Sequence, residues 1–294
     1  MLEVNAYLTE EPGPRLLVLG AVHGNETCGA TALHRLRDGL QAGRLMLRRG
    51  TLTFVPVCNP RAYAEGKRFM ERNLNRFLVP TENPTTYEAQ LGNALCPLMA
   101  ACTHLLDIHS YPNGGPPFGF VGGHDSEEDA LAQSLGVDTI LSGWEEAYAA
   151  TGRQDPTRDP LEGVGTEEWA RRNGAHAALI ECGDHLDPQA PEVAYRAVRG
   201  ALDHLGMLPW PERPSGWCSS SPRRVRVDRV VYRDREGMFV KPWRHLDPVA
   251  TGEVVARTVD GTELCASQGG FILLPDANAA LGQEWFYLGR EEGT

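Results

Sequence analysis

Four short apolar runs govern what this chain can fold into: Leu16 to Val22, Thr51 to Val57, Leu105 to His109 and Ala177 to Cys182. Each has the length of a strand. Helix-like stretches lie between and after them, at Thr27 to Leu40, Tyr87 to Ala101, Glu127 to Leu135, Thr166 to Asn173 and Pro191 to Leu205. Thr27 is placed as an N-cap and Pro191 falls in a first turn. Strands alternating with helices predict an α/β layer structure built on a mainly parallel, mixed sheet flanked by helices.

The rhythm breaks at Pro209-Trp210-Pro211-Glu212-Arg213-Pro214-Ser215-Gly216, which has the composition of a linker. A catalytic unit over 1–210 and a second unit over 217–294 follow. The second unit carries short β-like runs at Arg224 to Tyr232, Met238 to Lys241, Glu253 to Thr258, Glu263 to Ala266, Phe271 to Leu274 and Trp285 to Leu288. Turn signals such as Asp260-Gly261 and Gly269-Gly270 separate them, so a small all-β C-terminal domain of barrel or sandwich type is expected. With 294 residues, 41% of them hydrophobic, the chain can fill one large core and a small one.

Several function classes drop out. No apolar run approaches the roughly 20 residues that cross a bilayer, and the first residues carry no basic segment followed by an apolar core. A cytoplasmic protein without a membrane partner is expected. The seven cysteines are odd in number, scattered and never spaced Cys-x-x-Cys, so they read as reduced and mostly buried. A net charge of -11 repels polyanions, and the basic stretch Arg223 to Arg229 alternates with valines as a half-exposed strand does. Nucleic acid is not an expected partner. A small carboxylate-bearing substrate is compatible with the overall acidity, because a few arginines set the field inside a cleft. A homo-oligomer is left open.

The residues that carry chemistry stand at strand ends. His23-Gly24-Asn25-Glu26 follows the first apolar run directly, at the carboxyl edge where open α/β sheets bind ligands. Imidazole and carboxylate three residues apart suit zinc, although His-x-x-Glu alone also occurs by chance in surface turns. Leu105-Leu106-Asp107-Ile108-His109 brings a second histidine to the same edge if its strand runs parallel to the first. Three protein ligands with room for water describe a catalytic metal site rather than a structural one. Asp107 either orients a ligand imidazole or bonds nearby backbone. Glu181 ends the run Ala177-Ala178-Leu179-Ile180. Ordinary exposure is the plainer reading of an acidic strand end, but beside the other motifs Glu181 suits a general base.

A last cluster comprises Asn59-Pro60-Arg61-Ala62-Tyr63, Lys67-Arg68 and Arg72-Asn73-Leu74-Asn75-Arg76. It is either a solvated basic loop or a set of guanidinium forks for a carboxylate and an oxyanion.

Taken together, Gly20-Ala21-Val22-His23-Gly24-Asn25-Glu26, Asn59-Pro60-Arg61-Ala62 with Arg68, Asn73-Leu74-Asn75-Arg76, Asp107-Ile108-His109-Ser110 and Glu181 resemble the succinylglutamate desuccinylase and aspartoacylase family, of the zinc carboxypeptidase superfamily. The resemblance implies a zinc-carboxypeptidase-like fold. It also implies that His23, Glu26 and His109 bind one Zn2+ per chain, that Glu181 is the base, and that Arg68 polarises the scissile carbonyl. Asn75 and Arg76 would hold a substrate carboxylate. Arg171, ten residues before Glu181, has the spacing at which aspartoacylases place an arginine for a side-chain carboxylate, though one gap would exchange it with Arg172.

The activity implied is hydrolysis of an N-acyl amino acid. A tyrosine that vertebrate aspartoacylases supply near their C-terminus has no counterpart, since Gly282 falls at about its place. Asp107-Ile108-His109-Ser110-Tyr111 is also close to the pattern of peptide-cleaving carboxypeptidases, so a metallocarboxypeptidase is the alternative. A zinc-binding module that kept its ligands for stability is a third.

Overall fold

A computed structural model describes residues 2–112, 114–122, 125–151, 164–211 and 221–293. In chain order the first part comprises β1 (Asn5–Leu8), β2 (Arg15–Gly20), α1 (Cys28–Gln41), β3 (Thr51–Val55), α2 (Pro60–Ala64), a 3-10 turn (Leu74–Arg76), α3 (Tyr87–Ala101), β4 (His104–Tyr111), β5 (Phe118–Val121), α4 (Ser126–Gln133), β6 (Thr139–Ser142), α5 (Trp144–Ala149), α6 (Thr166–Arg172), β7 (His176–Asp184) and α7 (Ala190–His204). The second part comprises β8 (Arg223–Tyr232), β9 (Gly237–Phe239), β10 (Asp247–Val249), β11 (Val254–Thr258), β12 (Glu263–Cys265), β13 (Gly270–Leu273) and β14 (Glu284–Glu291).

The four apolar runs are the adjacent strands β3, β2, β4 and β7, all parallel to one another. Their faces are both covered, which is why they read as continuous apolar runs. Leu16 and Val18 of β2 pack with Leu33 and Leu36 of α1 and with Ala194 and Ala201 of α7. Leu17 and Leu19 face the other way, against Leu95 and Met99 of α3. The chain runs from β2 to β3 on one side and then returns to β4 on the other. The strand order therefore reverses between β2 and β4, where a crevice opens at the carboxyl ends.

The helix ends show why these segments begin where they do. Thr86 caps α3 by accepting from Ala89 N at 3.2 Å, and Asp125 caps α4 through Glu127 N at 2.8 Å. Thr27 does occupy the N-cap of α1, but its backbone is already helical and its side chain makes no capping bond.

The C-terminal β unit is present as antiparallel strands. β8, β14, β13 and β10 extend the main sheet, joined to it by the parallel pairing of Thr139–Ser142 with Arg223–Arg226. β12, β11 and β9 form a second sheet, and Val255, Ile272, Trp285 and Phe286 fill the space between the two. Residues 212–220, on which much of the expected linker falls, lie outside the described residues. β5 and β6 were not legible in the sequence because four residues carry no periodicity.

The junction between the two parts is a core of Phe118, Leu141, Val225, Val227, Leu273 and Tyr287. Leu141 is fully buried there. Leu141→Ala is expected to cost about 2–5 kcal/mol of unfolding free energy, read from the denaturant midpoint. A loss below about 0.5 kcal/mol, the size of an ordinary surface change, would show that the junction is not packed in solution.

Candidate metal centre

His23 and Glu26 lie in the loop after β2, and His109 lies near the end of β4. Ligand atoms of these three buried side chains lie within 4.8 Å of one another, the only such group of three among the described residues. His23 Nδ1 stands 2.8 Å from Glu26 Oε1, and His109 Nδ1 stands 2.7 Å from Glu26 Oε2. The far nitrogens are tied down: His23 Nε2 meets Asn73 Oδ1 at 2.9 Å, and His109 Nε2 meets Asp107 Oδ2 at 2.9 Å. With a proton on each Nε2 directed at these oxygens, each Nδ1 would be free to offer its lone pair to a metal. Two such lone pairs and a carboxylate converge on one buried volume, a donor set that suits zinc.

Without a cation, protons have to stand in. Burial favours neutral Glu26, but His23 and His109 outweigh it and hold the carboxyl well below the usual range. Burial also opposes a charged His109, yet Asp107 and Glu26 raise it well above an ordinary histidine. His23 is pushed down to about 4, first by burial, with Glu26 opposing.

Local backbone contacts fix the ligand loop. Ala21 has φ of 45°, a left-handed conformation that costs an alanine energy, while Cys58 N donates to Gly20 O and Asn59 N to Ala21 O. A Cβ on Gly24 would stand 2.2 Å from the backbone of Ala62 and Tyr63, so only glycine lets the loop lie this close to α2. The arginine loop is held from behind by buried Glu88, which accepts from Met70 N at 2.7 Å, Glu71 N at 3.2 Å and Arg72 N at 3.3 Å.

Glu181 is the register partner of His109, so both side chains leave the same face of the sheet. Its Oε2 is enclosed and has no hydrogen-bond partner among the described residues. Burial, aided by the negative charge of Glu26, raises Glu181 to about 8. Arg68 reaches the cluster too: its guanidinium donates to Glu26 Oε1 at 2.7 Å. Asn75 is buried, with Oδ1 accepting from Thr166 N at 2.8 Å, and Arg76 donates to Asn75 O at 2.9 Å. Arg61 and Arg72 stack over Tyr87 and Phe77 instead of facing the centre.

Arg171 departs from expectation. Its guanidinium is held by Glu128 at 2.8 Å and Glu167 at 3.1 Å. Glu128 accepts from Ala177 N at 3.0 Å, at the start of β7 and four residues short of Glu181. α6 precedes β7 and folds back beside it, so ten residues of chain return Arg171 to the amino edge of the sheet. Arg172 does not replace it, being exposed and paired with Glu168 at 2.7 Å.

Further side chains brace the trio or line its surroundings. Thr166 Oγ1 donates to Asp107 Oδ2, bracing the aspartate that holds His109. Ser110 N donates to Glu26 Oε2 at 3.2 Å, and Ser110 Oγ meets His185 Nδ1 at 2.8 Å. Tyr287 is a tyrosine from the C-terminal strands, five residues after Gly282. Its hydroxyl lies 2.9 Å from that of Tyr148, which also donates to Glu284 at 2.9 Å. Burial raises both phenols and the charge of Arg76 works against it, so Arg76 lies in their neighbourhood. The sequence signal was the run Trp285-Phe286-Tyr287-Leu288, but a run buried on both faces does not disclose which way each side chain points.

The raised Glu181 has a measurable consequence. As pH rises from about 4.5 to about 8, the unfolded chain ionises this carboxyl before the folded one does. Its contribution to stability is therefore full below the unfolded value and is lost as pH climbs through the folded one. In chelator-treated protein, denaturant midpoints of wild type should fall relative to Glu181→Gln between pH 5 and pH 8. Parallel curves would mean that the carboxyl is solvated.

Residues 12–135 match the model of the succinylglutamate desuccinylase/aspartoacylase catalytic domain. A succinylglutamate desuccinylase of Pseudomonas putida is 39% identical over 75 residues, 26% of this chain and 22% of that one, so the alignment spans about a fifth of the relative. Over the whole fold the chain is similar to a succinylglutamate desuccinylase/aspartoacylase of Rhodobacter sphaeroides (TM-score 0.77, 18% identity, covering 99% of this chain and 90% of that one). It is also similar to the product-bound ectoine utilization protein of Ruegeria pomeroyi (TM-score 0.76, 19% identity, covering 98% and 88%). Residues 12–135, which hold all three candidate ligands, are thus similar to the succinylglutamate desuccinylase/aspartoacylase catalytic domain.

Proposed function

We infer that this chain is a zinc-dependent hydrolase that cleaves the amide bond of a small N-acyl amino acid. The observation that carries this reading is the enclosed Glu181 Oε2, without a hydrogen-bond partner among the described residues, on the strand position paired with His109. A buried carboxyl oxygen without a partner costs about 1–3 kcal/mol, a cost that a proton to be handled at that atom would explain. His23, Glu26 and His109 would hold a single zinc ion, whose role is to polarise the carbonyl and acidify water.

The remaining roles fall to side chains. Glu181 takes the proton of the attacking water and returns it to the leaving nitrogen. Arg68, exposed on one side and anchored on Glu26, is placed to meet the oxygen that gains charge. Asn75 and Arg76 supply the donors for the substrate's carboxylate, with Tyr148, Tyr287 and Glu284 nearby to limit its size. Tyr111, which carried the likeness to peptide-cleaving enzymes, is buried and donates to Pro116 O at 2.9 Å. Its side chain is taken up in packing, so deacylation is the preferred reading over carboxypeptidase action.

Zinc-loaded protein incubated with N-succinyl and N-acetyl amino acids should release free amine from at least one. Glu181→Gln should lower kcat by about 10²- to 10⁴-fold, the usual worth of a general base, while zinc content stays the same. Unchanged turnover in that variant with zinc still bound removes Glu181 from the chemistry. No amine from any member of the panel overturns the reading as a whole.

A further inference from the structure

The amino edge of the same sheet carries a second pair of imidazoles. β4 and β7 begin with His104 and His176, which are register partners with ring centroids 5.4 Å apart and planes tilted by 41°. They are five residues from His109 and Glu181, or about 16 Å along the strands. In this pair Nδ1 is the tied atom: His104 Nδ1 meets Thr103 Oγ1 at 2.9 Å, and His176 Nδ1 meets Asp125 Oδ1 at 3.2 Å. Nε2 is thus the nitrogen each ring can offer. An aspartate behind one ring is the partner that metal-binding histidines commonly use.

The surroundings favour a cation. A cleft of about 310 Å³ is lined by His176 together with Asp125, Glu128, Glu145 and Glu168, against the one positive charge of Arg171. A second cleft, of about 280 Å³, lies between α4 and α7 and is lined by Gln133, Ser134 and His204. His204 and Glu127 are near enough to act on His104. Burial first, and then the charge of His176, push His104 down to about 4, so at neutral pH it is the unprotonated form that binds metals.

We propose that His104 and His176 form a second site for an imidazole-seeking divalent cation of the zinc, nickel and copper class, separate from the centre at the carboxyl edge. Water completes the coordination, since among the described residues no third metal-ligating side chain closes on the pair as Glu26 does on its histidines. A cation held there ties β4 to β7 at the end opposite the candidate chemistry. The site stands whether or not the chain is a hydrolase.

Zinc titration of chelator-treated wild type, followed by equilibrium dialysis, should find two ions per chain of unequal affinity. His23→Ala should lose the tighter one alone, and His104→Gln with His176→Gln should weaken the other by tenfold or more, the scale on which metal sites respond to such losses. Against misfolding of the double variant stands a measurement on wild type: one equivalent of Cu2+ added to protein carrying a single zinc per chain should show coupling to two imidazole nitrogens by electron paramagnetic resonance. Uptake of a single ion by wild type overturns the proposal. So does a second ion unaffected in the double variant, or a copper spectrum without imidazole nitrogen.

Discussion

Three electron-pair donors share one buried volume in this fold: two imidazole nitrogens, each less than 3 Å from an oxygen of the same carboxylate. Buried charge is tolerated only when it is paired, and a cation would pair all three donors of this candidate site. Proton placement can satisfy one contact at a time, and His109 raised against a depressed Glu26 shows that compromise. A divalent ion satisfies all three donors at once. The positions of Asn73, Asp107 and Arg68 follow from it, because each touches a ring nitrogen or a carboxylate oxygen of the trio.

The scaffold delivers these donors by rules that operate well away from them. Parallel strands place three loop or strand ends at one edge, and the reversal of strand order between β2 and β4 opens the crevice there. Register then does the finer work, since pairing His109 with Glu181 sets the candidate base beside the ligand and not across the sheet. Close backbone contact at Gly24 and the triple acceptance by Glu88 hold the two loops that face each other over the site.

The centre was legible in the sequence because His23, Glu26, His109 and Glu181 all follow apolar runs too short for helices, and the end of a parallel strand is a place that can be counted to. Asp107 was legible as sharing a face with His109, and the structure adds that its carboxylate meets the ring. Arg171 was misplaced because spacing along a chain does not reveal that α6 folds back to the start of β7. The contacts of Asn73, Thr166 and His185 were not legible for a related reason: their partners are tens of residues away, and nothing local marks the pairings. The C-terminal strands were read as β, but the proline-rich stretch concealed that β8 continues the main sheet through β6.

The most direct measurement is anomalous diffraction at the zinc edge from crystals of zinc-loaded protein. The expected result is a strong peak about 2.0–2.2 Å from Nδ1 of His23, Nδ1 of His109 and the Glu26 carboxylate, with both Nε2 atoms still on Asn73 and Asp107, whatever the second site holds. A loaded crystal with no peak between these residues, or with the metal bound through Nε2 of either histidine, would contradict the central claim.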